Sequence, residues 1–482
     1  MRMRIFLAAL LVAGPAFADS IGYEGARHLL NRTGFGATDP EIRDYAGLER
    51  AAAVDRLLAG TRREAFVKPP AFVDGPYVRF KPLTGMTPEE REREVRRRLD
   101  EGFGLREWWL REMLSTPSPF TERMTLFWHN HFATSLQKVY SAKLMYEQNV
   151  LLRREALGNF GVLLHGIARD PAMLIYLDNA GSRRQAPNEN FAREVMELFT
   201  MGEGHYGEKD IKEAARAFTG YSLDRDSGTF RWRPMFHDGG EKTVLGRTGR
   251  FEGKDVIDIL LARPETAEFI TTKLWKEFVS PTPDAEEVHR LANVFRDAHY
   301  NVKPLMRAML LSKSFWAADN RGALVKSPVE LVVGTLHLFQ VQPVDLRPAV
   351  IACATLGQNP FAPPNVKGWP GGEAWINSST LLTRKQLVER LLTNDDRMET
   401  TAMNDLSRAA SGKAGRDERF RRVMERGLAT YRVDWDRWSG RDAGDSVDRL
   451  VLAIAPANAM GDEAAGVMRA RRLAADPVYQ LK

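Results

Sequence analysis

Six polar residues, Asn188, Glu189, Asn190, Arg193, Glu194 and Glu197, lie close together in the stretch PNENFAREVMELFTMGEGHYGEKD. On a helix of ~100° per residue, Phe191, Ala192, Val195, Met196, Leu198 and Phe199 fill one arc. Asn190, Arg193, Glu194 and Glu197 fill the opposite one. A line of carboxylates and amides can act as general acid and base, or bind Mg²⁺ or Ca²⁺. Adding a histidine would suit Zn²⁺ or Fe. The same spacing also describes a solvated face. Asn188 is a natural N-cap, Glu189 suits the helix dipole, and Arg193 and Glu197 form an i, i+4 pair. Both readings stay open at this level.

Four other features compete for the chemistry. The string Gly202-Glu203-Gly204-His205-Tyr206-Gly207 spells G-x-G-x-x-G. A dinucleotide loop must follow a strand, and here a helix precedes it, so a connection between two helices is expected. In Trp128-His129-Asn130-His131, the helical wheel puts His131 with Met124, Phe127, Trp128 and Phe132 towards the interior. It turns His129 away from that interior, and residues two apart cannot chelate one ion. His131 is thus a core histidine or a single site group. His237-Asp238 precedes two glycines; it is a ligand or acid/base pair, or a turn. Trp369 and Trp375, among amides, would bind a sugar or a peptide, or else pin their loop. No nucleophile elbow, H-E-x-x-H or C-x-x-C is present.

The elements that must position these residues are mostly helical. Apolar spacing predicts helices over Phe103–Leu114, Leu144–Leu157, Val162–Ala168, Phe191–Met201, Ile211–Phe218, Thr266–Phe278 and Pro328–Phe339. Thr121 is expected to cap a helix running to Phe132. Between Ser222 and Gly246, TFRWRPMF alternates, HDGG is a turn signal and KTVLG can return as a strand, so one β-hairpin is expected. Lys68–Met86 and Gly357–Ser379 read as long irregular loops. The expectation is a mainly α fold: a large single helical domain over 19–395 with the hairpin inserted, and 396–482 as a helical extension of it.

The whole chain narrows the setting. Arg2 and Arg4, the apolar run Ile5–Val12 and Ala16-Phe17-Ala18 predict a secretory signal peptide over 1–18, cleaved after Ala18. The apolar run is shorter than the ~20 residues of a membrane span. The formal charge of +6 falls to +4 (6 − 2) without the two signal arginines. That charge is not clustered, and EEREREVRRR alternates in sign, so a nucleic-acid surface is excluded. The single cysteine, Cys353, lies in an apolar run and is expected to be buried.

Eight ordered blocks then carry a resemblance. They are HLLNRTGFG (28–36), FWHNHFATS (127–135), RDPAMLIYLDN (169–179), NENFAREVMELFTMG (188–202), DIKEAARAFTGY (210–221), FHDGGEKTVLG (236–246), LVKSPVELVVG (324–334) and PPNVKGWPGGEAWINSSTLLTR (363–384). Together they resemble the bacterial family called domain of unknown function 1800. The resemblance implies export and carries no established activity. It also implies an exported, sulfatase-like protein, encoded nearby, as a partner. Val195, Met196 and Met201 depart from the family pattern, apolar for apolar, and Gly207 replaces a Thr or Ser cap.

The reading that follows is a hydrolase of an envelope or extracellular substrate. Glu194 or Glu197 would be base or metal ligand, His131 a ligand or acid, and Arg193 the holder of an anionic group. Asn188, Asn190, Trp369 and Trp375 are candidate binding residues. His129, His237 and Asp238 are candidate ligands for a divalent metal. The alternative is a non-enzymatic envelope protein that binds a protein partner or a polysaccharide.

Overall fold

The computed structural model describes residues 20–392, 426–428, 430–439, 445–459 and 466–482. The expected signal peptide lies outside them, as does much of the stretch after 395. The described chain is mainly α, with two small antiparallel sheets of two strands each.

Local signals explain most of the helices. Helix Pro88–Ser115 opens with Thr87 and Glu90 capping each other and with proline in its first turn. Its charged first half is solvated, with Arg97 bridging Glu94 and Glu101. Its second half buries Leu105, Trp108, Trp109, Leu110 and Met113. Pro171 and Pro328 sit in the first turns of Pro171–Tyr176 and Pro328–Leu338. Asn188 caps Glu189–Met196 through its side chain.

Helix Pro119–His131 corrects the sequence reading twice. It begins at Pro119, after Ser118, rather than after Thr121. The Thr121 hydroxyl instead donates to the Arg62 carbonyl at 3.1 Å and accepts from the Arg62 amide at 3.2 Å. The helix is also enclosed on every side: Phe120 through His129 are all buried. One side faces a core containing Phe127, Trp128, Phe132, Phe160, Phe199 and Trp275. The other side faces a second core containing Trp109, Leu126, Val332, Cys353, Trp369 and Trp375. Each large apolar side chain so buried contributes about 1.5–3 kcal/mol before entropy is counted. Leu428, Trp438, Val447 and Leu473 join the second core, so the described C-terminal residues pack on the same body. No helix among the described residues is long and apolar enough to cross a membrane.

The expected hairpin forms differently. Tyr221–Leu223 pairs with Phe230–Trp232, and Lys242–Val244 pairs with Arg247–Gly249. The first strands do not return on KTVLG, because the intervening HDGG is anchored elsewhere. Arg216 holds both oxygens of Asp238, and the Lys242 ammonium caps the Gly240 carbonyl at 2.9 Å.

Candidate functional site

Helix Glu189–Met196 does not end at Met196. It widens into a π-helix, Glu197–Met201, closed by Gly202 at φ 78°. Thr200 explains part of the change: its hydroxyl lies 2.7 Å from the Val195 carbonyl and 3.0 Å from that of Met196. A hydroxyl that bonds carbonyls a turn back loosens the α ladder. Widened turns of this kind are frequent at functional sites.

The junction presents two half-buried carboxylates three residues apart, Glu194 and Glu197. Burial, reinforced by Glu197, pushes the Glu194 carboxyl above its usual range, against the pull of Lys367 and Arg193. Glu197 accepts a short hydrogen bond from the Tyr206 hydroxyl. Burial and that bond raise the hydroxyl well above an ordinary tyrosine. Lys367, from the tryptophan loop, stands 3.6 Å from Glu203. The glycine string is therefore a helix connection, and its tyrosine serves the acidic face.

His131 meets the same π-helix from below. Its Nε2–H donates to the Phe199 carbonyl at 3.2 Å, and its Nδ1 accepts from Lys273 Nζ at 2.9 Å. Lysine can only donate, so these two partners fix the ring as neutral with the proton on Nε2. Burial, then Lys273, hold its pKa far down. Burial brings Lys273 itself down to about 8. Among the described residues it has no carboxylate in ion-pair reach, although its amine lies 5.3 Å over the Phe269 ring. Lys273 was missed in the sequence because it flanks the apolar arc of its helix and reads as a solvated residue. Its signal was proximity to Ile270 and Leu274, which are both buried.

Of the remaining candidates, Arg193 borders this face and the others are not brought to it. Arg193 is committed to Glu208 through two bonds of 3.0 and 2.9 Å, at the surface. The Asn188 amide donates to the Leu177 carbonyl at 2.7 Å and its oxygen caps Phe191, so it is structural. Asn190 is exposed. His129, expected to turn away from the interior, is fully buried. Its Nε2 accepts from the Phe361 amide at 3.1 Å, and Trp109, Phe361 and Trp369 surround the ring. Burial, then Arg106, lower its pKa to about 3.

Trp369 and Trp375 are 3% and 6% exposed and offer no open stacking face. They pin their loop instead. Asn130 accepts from the Trp369 amide at 2.7 Å, and Gly368, at φ +83°, leaves the space that Asn130 fills. His237 Nδ1 lies 3.0 Å from the Thr219 carbonyl. The Arg216 hydrogen bonds hold Asp238 at about 2. His129 lies apart from His237 and Asp238, and the Asp238 carboxylate is taken by Arg216, so the three do not fit a shared metal ion. Among the described residues no group of three or more His, Cys, Asp or Glu is placed to hold one.

The fold and site define a class first: a helical body of paired sequence blocks, with one acidic face at a π-helix. The chain belongs to the family described as protein of unknown function (DUF1800), whose model matches residues 28–474. No curated protein and no solved structure matches the chain.

Proposed function

We propose that the protein is an exported acid/base hydrolase acting on an envelope or extracellular substrate at the π-helix face. One observation carries this reading. Glu194 and Glu197 share a half-buried face, yet one is pushed towards its protonated form while the other is held as an acceptor by Tyr206. A carboxyl raised towards its protonated form beside one that accepts a hydrogen bond divides the roles of acid and base. Glu197 takes a proton from water as the water oxygen attacks. Glu194 gives its proton to the leaving oxygen as the old bond breaks. Lys367 and Arg193, within electrostatic reach of Glu194, supply positive charge beside the reacting groups.

The test uses the mature chain with purified peptidoglycan and with p-nitrophenyl acetate, reading reducing ends and p-nitrophenol. Turnover of either probe should fall ~10²–10⁴-fold in Glu194→Gln and in Glu197→Gln, with the melting temperature retained. Turnover that survives both variants removes the assignment of these residues. No turnover by the wild type favours the alternative, an envelope protein that binds a partner without chemistry.

A further inference from the structure

Far along the chain from the acidic face, the blocks HLLNRTGFG and LVKSPVELVVG meet backbone to backbone. Gly36, at φ +91°, lies so close to Gly334 that an added Cβ would stand 3.2 Å from the Gly334 carbonyl oxygen. A Cβ on Gly334 would in turn stand 2.9 Å from the Phe35 carbonyl oxygen. Beside this crossing is a cavity of ≈ 30 Å³. Its floor is one face of helix Pro328–Leu338, with Glu330, Gly334 and Leu338 at i, i+4 and i+8. The loop Gly34–Ala37 forms one wall, and Lys326, Tyr479 and Lys482 form another.

Two independent features of this lining call for negative charge. First, among the described residues no partner accepts from the backbone amides of Gly34, Phe35, Gly36 or Ala37, although Phe35 and Ala37 are only 2% and 4% exposed. Buried amides need an acceptor, and consecutive free amides in a glycine loop form an anion cradle. Second, the lining itself holds two cations, Lys326 and Lys482, and one carboxylate, Glu330. Behind it, Arg32, Arg123 and Arg384 act on the same Glu330, with Glu277 as a further carboxylate. Glu330 is already committed to Arg123 at 2.9 Å, to Lys482 and to the Ser327 amide at 2.8 Å. Outside the lining, Arg32 Nε, Arg123 Nε and Arg384 Nη1 are buried without a partner among the described residues. Burial leaves Lys326 at about 7.

We propose that the cavity between loop Gly34–Ala37 and Lys326 and Lys482 is a binding site for one small oxyanion. The loop amides and the two ammonium groups take its oxygens. The volume, room for about two waters, fits a carboxylate, phosphate or sulfate group and nothing larger. The site is separate from the acidic face, and its test reads binding rather than turnover.

The experiment titrates the full mature chain with sodium phosphate, sulfate or acetate against chloride at matched ionic strength. Melting temperature and heat of binding are both followed. Saturable binding of one of the three is expected, weakened about tenfold or more in Lys326→Met and unchanged in Lys276→Ala, an exposed cation outside the cavity. The tightest of the three tells a tetrahedral oxyanion from a carboxylate. Lys482→Met provides the same test should Lys326→Met not fold. A melting shift that only tracks ionic strength, or saturable binding that survives both methionine variants, overturns the proposal.

Discussion

Asp238 takes hydrogen bonds from two nitrogens of Arg216 and from the Gly240 amide, whereas Glu194 takes none. By residue type the two carboxylates were equal candidates. The difference lies in what each block does for the fold. The blocks around Asp238, His129 and Asn130 are locks, in which one block's polar group satisfies another block's backbone or charge. The π-helix face is a region where carboxylates remain incompletely partnered. A saturated polar group stabilises and orients, while an unsaturated one keeps the capacity to meet a substrate.

The locks should respond most to acid. His28 donates from Nε2 to the Phe315 carbonyl at 2.7 Å, and His129 accepts the Phe361 amide. Burial is the first cause in both, followed by Arg32 for His28 and Arg106 for His129, and it lowers each to about 3. Their folded pKa values lie below the unfolded value of ~6.5. The unfolded chain therefore binds protons that the folded one does not, and stability falls as pH drops through 6.5. Between pH 7 and pH 5 the loss is about 2 kcal/mol per histidine. Urea unfolding at the two pH values reads it, and a stability that is flat over this range contradicts burial of neutral rings.

Gly368 tests a lock without titration. An added Cβ would stand 2.3 Å from Asn130 Oδ1 and 2.5 Å from the Asn130 carbonyl, at a φ that disfavours any side chain. Gly368→Ala should cost about 2–4 kcal/mol. Because Lys367 comes from the same loop, the turnover proposed for the acidic face should fall with it. Unchanged stability would mean that the two blocks do not interlock.

Much of this architecture was legible in the sequence. The period of the apolar residues marked the helix that carries Glu194, and Asn188 and Gly202 marked its ends. What periodicity does not carry is the second side of a helix. His129 was placed away from the interior because a wheel has one apolar arc, yet Phe361 and Trp369, more than two hundred residues later, cover the other side. The hairpin is present, but its pairing departs from the expected one for a related reason. Alternation identifies strands, but Arg216 decides where the HDGG turn is held. The π-helix leaves no period of its own, and the Thr200 hydroxyl contributes to it through backbone carbonyls. Lys273 was invisible as a partner of His131 because the two lie on different helices.

Lys273 sharpens the open side of the comparison. Its folded pKa of about 8 lies below the ordinary lysine value of 10.5. The unfolded chain holds more protons between those values, so wild-type stability should rise as pH increases through this window. Lys326, at about 7, adds a rise of the same sign, so Lys273→Met should reduce the rise rather than remove it. Near pH 8 the Lys273 amine should react with trinitrobenzenesulfonate ahead of exposed lysines. A mutant that keeps the full rise, or labelling no faster than the average lysine, would place the charge elsewhere.

Glu194→Gln gives the smallest effect on stability and the clearest contrast with the histidines. The folded pKa of Glu194 is raised by burial and by Glu197. The folded state therefore holds a proton that the unfolded state releases, so this group's contribution is present below the unfolded carboxyl range. It is lost as pH rises through the folded value, the opposite sign to His28 and His129. Glutamine removes that loss, so Glu194→Gln should equal the wild type in acid and be marginally more stable at neutral pH. The measurement is the difference in melting temperature between variant and wild type from pH 4 to pH 8. A glutamine variant that is less stable at neutral pH would show that Glu194 is held by a hidden cation, and the acidic face would then be one more lock.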